Sequence, residues 1–387
     1  MPLQPANGVP MKIVIALNAF KGSISSVNAG KAISRGIRKI LPKAEIVLCP
    51  VADGGDGLLD VVKSLPGTKT IKCSVLDPRK RRISSEFCWL PKERTAFIEM
   101  ALASGLALLP FKLRDPMKAT TYGTGQLINR ALKFRPRKII LGIGGSATCE
   151  GGTGAAAALG VVFSDKSGNI ISIPTGTDLN RISHIELSGV PDFLERTCME
   201  IICDVKNPLL GPKGSAAVYA PQKGATPSQV KELDNGLANF ARCIRRTTGK
   251  DVMKLSGGGA AGGISAGFHG LLGAELKKGI DVVFDLVDLE NKIKGADLVI
   301  TGEGKIDSQT AYGKAPAGVA KLAKRHKVSC IAICGCAGKN ISTLKKIGIS
   351  SVWPICNEAK SPEDSMKNAA RYLEITANKA IKYGVKR

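Results

Sequence analysis

Residues 11–52, "MKIVIALNAFKGSISSVNAGKAISRGIRKILPKAEIVLCPVA", decide the fold. The stretch opens on a short apolar run rich in β-branched residues, Met11–Leu17, which reads as a strand. A helical pattern follows, with Ala29, Ile33, Ile37, Ile40 and Leu41 on one stripe. Ser25 or Ser26 can cap its start, and Pro42 follows its end. "AEIVLCPVA" is then a second strand. A strand–helix–strand opening predicts a parallel sheet with helices packed on it.

The same rhythm returns at the far end. "GADLVITGEGKID" reads as a strand entering a loop, and "KAPAGVAKLAKRHK" as a helix with Pro316 near its first turn. "VSCIAICG" and "SSVWPI" read as strands, and Pro362–Tyr383 as a terminal helix. Between the two ends the pattern changes. "TKTIKCSVLDP", "KRRISSEFCWL" and "RTAFIEMA" alternate, with a turn at Asp77-Pro78, so they predict antiparallel strands. "TTYGTGQLINRALKF" reads as a helix and "RKIILGIGG" as a strand, while "MEIICDV" and "AAVYAPQKGA" are further candidate strands and loops. The expected architecture is a two-domain α/β protein, and 387 residues suit two domains. Residues 11–70 and 290–387 would form a discontinuous parallel-sheet domain. Residues 71–289 would be a mixed-sheet α/β domain inserted into it, and residues 1–10 a disordered tail.

Composition narrows the functional classes. The chain is 44% hydrophobic, and no apolar run approaches the roughly 20 residues that span a bilayer, so no membrane partner is expected. The start lacks a basic segment followed by an apolar one, unlike a secretory signal. Eleven cysteines, an odd number, read as reduced thiols of a cytoplasmic protein. Cys330, Cys334 and Cys336 share one parity and read as buried strand residues rather than metal ligands. The net charge of +24 would attract polyanions or small acidic substrates. The basic residues are scattered, however, and no aromatic–basic interleaving accompanies them, so no specific nucleic-acid partner is expected.

Four glycine-rich segments follow strands: "FKGS" (Phe20–Ser23), "ADGGDG" (Ala52–Gly57), "GIGGSAT" with "EGGTG" (Gly142–Gly154), and "TGEGKIDSQT" (Thr301–Thr310). Glycine lets backbone N–H groups approach an oxyanion, and a helix starting behind the loop adds the positive end of its dipole. The segment Gly151–Leu159 has that form. Neither a Walker P-loop nor a dinucleotide fingerprint is present. Carboxylates gather in or beside these loops: Asp53, Asp56, Glu150, Asp204, Glu303 and Asp307. Such groups suit Mg²⁺ shared with phosphate oxygens, or a base that accepts a hydroxyl proton during phosphoryl transfer. Lys21, Lys223, Lys305 and Lys314 are the cationic candidates for a phosphate or carboxylate. The three histidines stand in no motif.

"AFKGSISS", "VADGGDGLLD", "GIGGSATCEGGTGAAAALG", "CDVKNPLLGPKGSAAVYAPQKGAT", "GGGAAGGISAG" and "TGEGKIDSQTAYGKAPAGVA" occur in this order. Over Met11 to Tyr383 the chain resembles the bacterial glycerate kinases of type 1. The resemblance implies a Rossmann-like domain joined to a second α/β domain, with the active cleft between them. It implies ATP-dependent phosphorylation of D-glycerate, with the 2-hydroxyl favoured. Joined to the residue reading, it assigns Lys21, Asp53 and Asp204 to catalysis, Asp204 as the proton acceptor. Gly144, Gly145, Ser146, Thr148, Gly302 and Lys305 would hold ATP, and Ser23 and Asp307 the acceptor. Asp53, Asp204 and Glu303 would hold Mg²⁺. A homodimer is compatible with this reading. The chain departs from the family pattern at Asn18 and Ala19, where Asp and Ser are usual, at Asp56, a shortened carboxylate, and at Cys149 and Glu150. Alternative readings are a kinase for another small hydroxy acid or sugar acid, a polyanion-binding protein, and a catalytically silent relative.

Overall fold

A computed structural model describes residues 10–53, 55, 57–307, 310, 314–338 and 342–384. The expected disordered tail, but for Pro10, and the candidate carboxylate Asp56 lie outside the described residues. In chain order the strands are β1 (Lys12–Leu17), β2 (Glu45–Leu48), β3 (Lys69–Leu76), β4 (Arg82–Leu90), β5 (Thr95–Glu99), β6 (Lys138–Gly142), β7 (Val162–Ser164) and β8 (His184–Glu186). They continue with β9 (Cys198–Ile202), β10 (Glu275–Lys277), β11 (Leu298–Gly302), β12 (Lys305–Ile306), β13 (Ser329–Cys334), β14 (Cys336–Ala337) and β15 (Ile349–Pro354).

The chain divides into two compact units. One holds the described residues up to Asp53 and from Ile280 onward; the other is Gly54–Gly279. These boundaries differ from the 70/71 and 289/290 expected from the sequence. Residues 54–70 go with the inserted unit because the helix Leu58–Lys63 packs on β4 and β5.

The first unit carries a five-stranded sheet, ordered β15-β13-β11-β1-β2 and parallel throughout. Numbered within the unit this is the 2-1-3-4-5 order of doubly wound sheets. Alternate residues face opposite sides. Ile13, Ile15, Leu17, Ile300 and Ile333 join one core with Ile33, Ile37 and Leu373. That side is covered by the helices Ser26–Arg38 and Ala369–Lys379, which pack on each other. Val14, Val299 and Cys330 lie in one row of the other face and are buried as well. The helix Ala315–Arg325 packs against β1, β11 and β13. Burial on both faces explains why these strands read as unbroken apolar runs. Ser25 caps the first helix, its Oγ accepting from the Asn28 amide.

The second unit carries a six-stranded mixed sheet, ordered β10-β9-β6-β5-β4-β3. Strands β10, β9, β6 and β5 are parallel, and β5-β4-β3 are antiparallel as the alternation predicts. The Asp77 carboxylate closes the β3–β4 turn by accepting from the Arg79 and Arg81 amides at 2.8 and 2.9 Å. The helix Tyr122–Leu132 packs on the helix Thr153–Ala158, and Gly125 permits the close approach because a side chain there would strike the Ala155 carbonyl.

Three local expectations are corrected. "AAVYAPQKGA" is no strand: Ser215–Tyr219 is helical and Pro221–Lys223 is a 3₁₀ turn. The terminal helix is broken, Pro362–Lys367 giving way to Ala369–Lys379 across Asn368. Cys330 and Cys334 are buried, but Cys336 is exposed because β13 ends at Cys334. The longest helix among the described residues, Pro227–Thr248, is not among the expected elements; its start is fixed by a capping box between Thr226 and Gln229.

Candidate functional site

Each unit has a depression where loops leave the carboxyl ends of its parallel strands, the place where open α/β sheets bind ligands. In the first unit the depression measures about 490 Å³ and is bordered by Asn18–Lys21 after β1, Asp53 after β2, Glu303–Lys305 after β11 and Cys336 after β13. In the second it measures about 440 Å³ and is bordered by Gly144–Ser146 after β6 and Cys203–Val205 after β9. Both sizes suit a small ligand.

"FKGS" is a turn that closes on itself. Phe20 and Ile24 exchange backbone hydrogen bonds at 3.0 and 3.1 Å, and Gly22 takes φ +73°, a region that favours glycine. Phe20 is buried as the anchor, and Lys21 is exposed at the rim of the depression. Ser23 borders it too, but its hydroxyl is spent donating to the Met366 carbonyl at 2.6 Å.

Asp53 is held from two sides. Its Oδ1 accepts from the Ala315 amide at 2.7 Å, at the start of the helix Ala315–Arg325, and its Oδ2 from the Asn18 side-chain amide at 2.8 Å. The helix dipole favours a negative charge at that end. Asn18 is buried and oriented by its own Oδ1, which accepts from the Ala19 amide at 2.8 Å. Asp53 therefore faces a neutral donor at position 18. Glu303 is also buried; Thr310 donates to its Oε1 at 2.9 Å, and the Lys314 ammonium lies 3.5 Å from both oxygens. Burial raises its pKa, Thr310 and Lys314 pull it back, and Asp53 adds to the rise. Lys305 borders the same depression with a side chain 71% exposed.

In the second unit Gly145 takes φ +70° at the turn after β6. Its carbonyl accepts from the Leu106 amide, and the Ala147 amide donates to the Ser104 carbonyl, which fixes the loop on both sides. Beneath it lies Lys223, only 2% exposed, donating to Ser146 Oγ at 2.8 Å and the Thr148 carbonyl at 2.6 Å. Burial pushes its pKa down to about 8. Asp204 borders the depression and its Oδ1 accepts from the Gly279 amide at 2.9 Å.

The predicted residues therefore fall into three groups. Lys21, Ser23, Asp53, Glu303 and Lys305 border the first unit's depression, and Gly144, Gly145, Ser146 and Asp204 border the second's. Gly302, Asp307 and Thr148 border neither. Gly302 ends β11, and a side chain there would collide with the Ile333 carbonyl, so strand packing alone demands glycine. Asp307 turns its backbone onto Thr310. Thr148 is fully buried and serves the loop through its carbonyl. The helix start at Thr153 does hold an acidic side chain, but it is the chain's own Glu150, which accepts from Thr153 Oγ1, the Gly154 amide and the Thr121 amide, while burial raises its pKa. Glu150 is a structural cap.

Residues 13–384 match the glycerate kinase family. The chain belongs to the glycerate kinase family. It is 42% identical to glycerate kinase of Bacillus subtilis (strain 168), over 95% of this chain and 96% of that protein. It is 40% identical to glycerate 2-kinase of Escherichia coli (strain K12), over 93% and 94%. A crystal structure assigned to glycerate kinase 2 of Salmonella typhimurium LT2 superposes with a TM-score of 0.86 at 41% identity, over 96% of this chain and 98% of that one. Membership makes the chain a kinase, with glycerate as acceptor and ATP as donor.

For a glycerate kinase the sequence reading undervalued three residues. Lys223 and Lys314 stand there as cationic candidates with no role assigned, and Asn18 only as a lost charge. The available signal was local: Lys223 follows "AAVYAPQ" in a small-residue setting, and Lys314 precedes Ala315-Pro316 at a helix start. Among the described residues no group of three or more His, Cys, Asp or Glu side chains is placed to hold a metal. Of the three carboxylates expected to hold Mg²⁺, Asp53 and Glu303 border one depression and Asp204 the other; two oxygen-donor carboxylates suit Mg²⁺, which takes the rest of its shell from water and phosphate. No helix among the described residues is long and apolar enough to cross a membrane.

Proposed function

We propose that this protein transfers the γ-phosphoryl group of ATP to the 2-hydroxyl of D-glycerate, yielding 2-phosphoglycerate and ADP. The observation that carries the reading is the near-full-length match to the glycerate kinase family, together with 40% identity to a relative named glycerate 2-kinase. The chemistry needs alignment and charge stabilisation more than covalent help. In this reading backbone amides of Gly144–Ser146 receive phosphate oxygens, which the positive φ of Gly145 supports. Lys21, exposed on its closed turn, neutralises the acceptor carboxylate or the transferred phosphoryl group. Asp204 accepts the proton of the attacking hydroxyl. Asp53 and Glu303 would hold Mg²⁺, which when bound neutralises phosphate charge. The Asn18 amide keeps Asp53 oriented without adding a competing negative charge.

The test is incubation with ATP, Mg²⁺ and D-glycerate, followed by phosphorus NMR. A resonance of 2-phosphoglycerate at the expense of ATP is expected. Its absence, with ATP intact, defeats the reading, and 3-phosphoglycerate in its place defeats the regiochemistry. Tartronate and L-glycerate in parallel separate this acceptor from related hydroxy acids.

A further inference from the structure

Lys223 is a basic group where water cannot reach it freely, yet it borders the second unit's depression. Its two hydrogen bonds go to neutral oxygens, Ser146 Oγ and the Thr148 carbonyl. The carboxylate nearest in influence, Glu150, sits behind the loop with both oxygens already engaged by Thr121, Thr153 and Gly154. Burying an ammonium is costly unless an anion compensates it. What opens beside this ammonium is a glycine turn.

We propose that Lys223 is the cation that seats the ATP phosphates on the Gly144–Ser146 turn, while its grip on Ser146 and Thr148 holds that turn in its binding shape. The identity of the anion rests on the proposed function above; the other source of such chemistry is the carboxylate of glycerate. An incoming anion supplies the missing counter-charge and favours the protonated amine. Binding therefore weakens as the free protein's Lys223 loses its proton, above pH about 8. The other groups facing this region are Cys203, Asp204 and Tyr219 around the depression, Cys149 and Glu150 behind the loop, and Arg114 against Gly224. Burial pushes the Cys149 thiol up to about 11 and raises Cys203 and Tyr219 above their ordinary values. Those three stay neutral where Lys223 titrates.

The experiment is calorimetric titration of ATP into the full-length protein without glycerate, from pH 7 to 9.5, beside KM values for ATP and D-glycerate. It compares wild type with Lys223→Met and Lys223→Arg, each checked by circular dichroism and thermal melting. Lys223→Met is expected to weaken ATP binding by about 30-fold or more with the D-glycerate KM unchanged. Wild-type affinity is expected to fall above pH about 8, and Lys223→Arg, whose charge persists, to show no such fall. A folded Lys223→Met with wild-type ATP affinity overturns the proposal. So does an alkaline fall that survives in Lys223→Arg, and this comparison decides alone if Lys223→Met does not fold. A rise in the D-glycerate KM with ATP binding intact overturns the phosphate assignment in favour of the carboxylate. Lys223-dependent ATP binding in a protein that forms no phosphoglycerate leaves this proposal standing and removes the proposed function instead.

Discussion

Lys21 stands exposed at the tip of a turn whose own backbone hydrogen bonds and buried Phe20 do the folding. Lys21→Ala is expected to lower turnover roughly 100–1000-fold, the cost of one charge-stabilising contact, with the melting curve unchanged. Near-normal turnover would remove Lys21 from the reaction. Lys223 gives the opposite case, a charge the fold tolerates at a cost. An unfolded lysine keeps its proton to the ordinary 10.5, whereas the buried one releases it near 8. Between those values the unfolded chain binds more protons, so raising the pH favours the folded state. The group's contribution is fully present above 10.5 and is lost as pH falls through about 8, a difference of about 3 kcal/mol. Urea midpoints from pH 7.5 to 10 should climb in wild type more steeply than in Lys223→Met. Composition and spacing made both lysines candidates, but burial separates their roles. The same holds for Glu150: beside glycine it reads as a ligand, and only its three donors show it to be a cap.

Among the elements, the strands of both sheets other than β10 were legible because burial on two faces leaves apolar runs and burial on one leaves alternation. Antiparallel β3 and parallel β1, β11 and β13 follow that rule, whereas β5, between antiparallel β4 and parallel β6, is buried along nearly its whole length. Short helices were less legible. Ser215–Tyr219 has too few turns to show a period, and its residues are small or aromatic, which suits a strand equally. Gly302 illustrates how an element can claim a residue that looked functional. It ends β11 with the Ile333 carbonyl of β13 against its Cα, so no side chain fits. Gly302→Ala is expected to destabilise the protein by about 2–3 kcal/mol through forced separation of the two strands. A shifted urea midpoint with unchanged ATP affinity in the surviving folded fraction would show a packing role; lost affinity at unchanged stability would return Gly302 to the phosphate site.

At the scale of the whole chain, one unit is continuous and the other is not. Residues 54–279 carry a core of their own, running from Val75 to Ala274. The other unit draws β1 and β2 from one end of the chain and β11, β13 and β15 from the other, with β1 between β2 and β11. Residues 54–279 expressed alone should therefore unfold in one cooperative transition, while residues 280–384 alone should not, since they lack β1, which pairs with β11 on the side away from β13. Equilibrium denaturation of the two fragments checks this; a cooperative transition in the C-terminal fragment would contradict the dependence on β1. The sequence by itself determined the α/β class, the strand–helix rhythm at both ends, the four glycine loops and the family, because periodicity and loop chemistry are written in neighbouring residues. Only the tertiary structure decided that Asn18 and the Ala315 amide hold Asp53, that Lys314 faces Glu303, and that Lys223 lies buried under Ser146. Those pairings join residues far apart in the chain. A lysine's desolvation, and hence its charge and its use, depends on atoms that no local pattern contains.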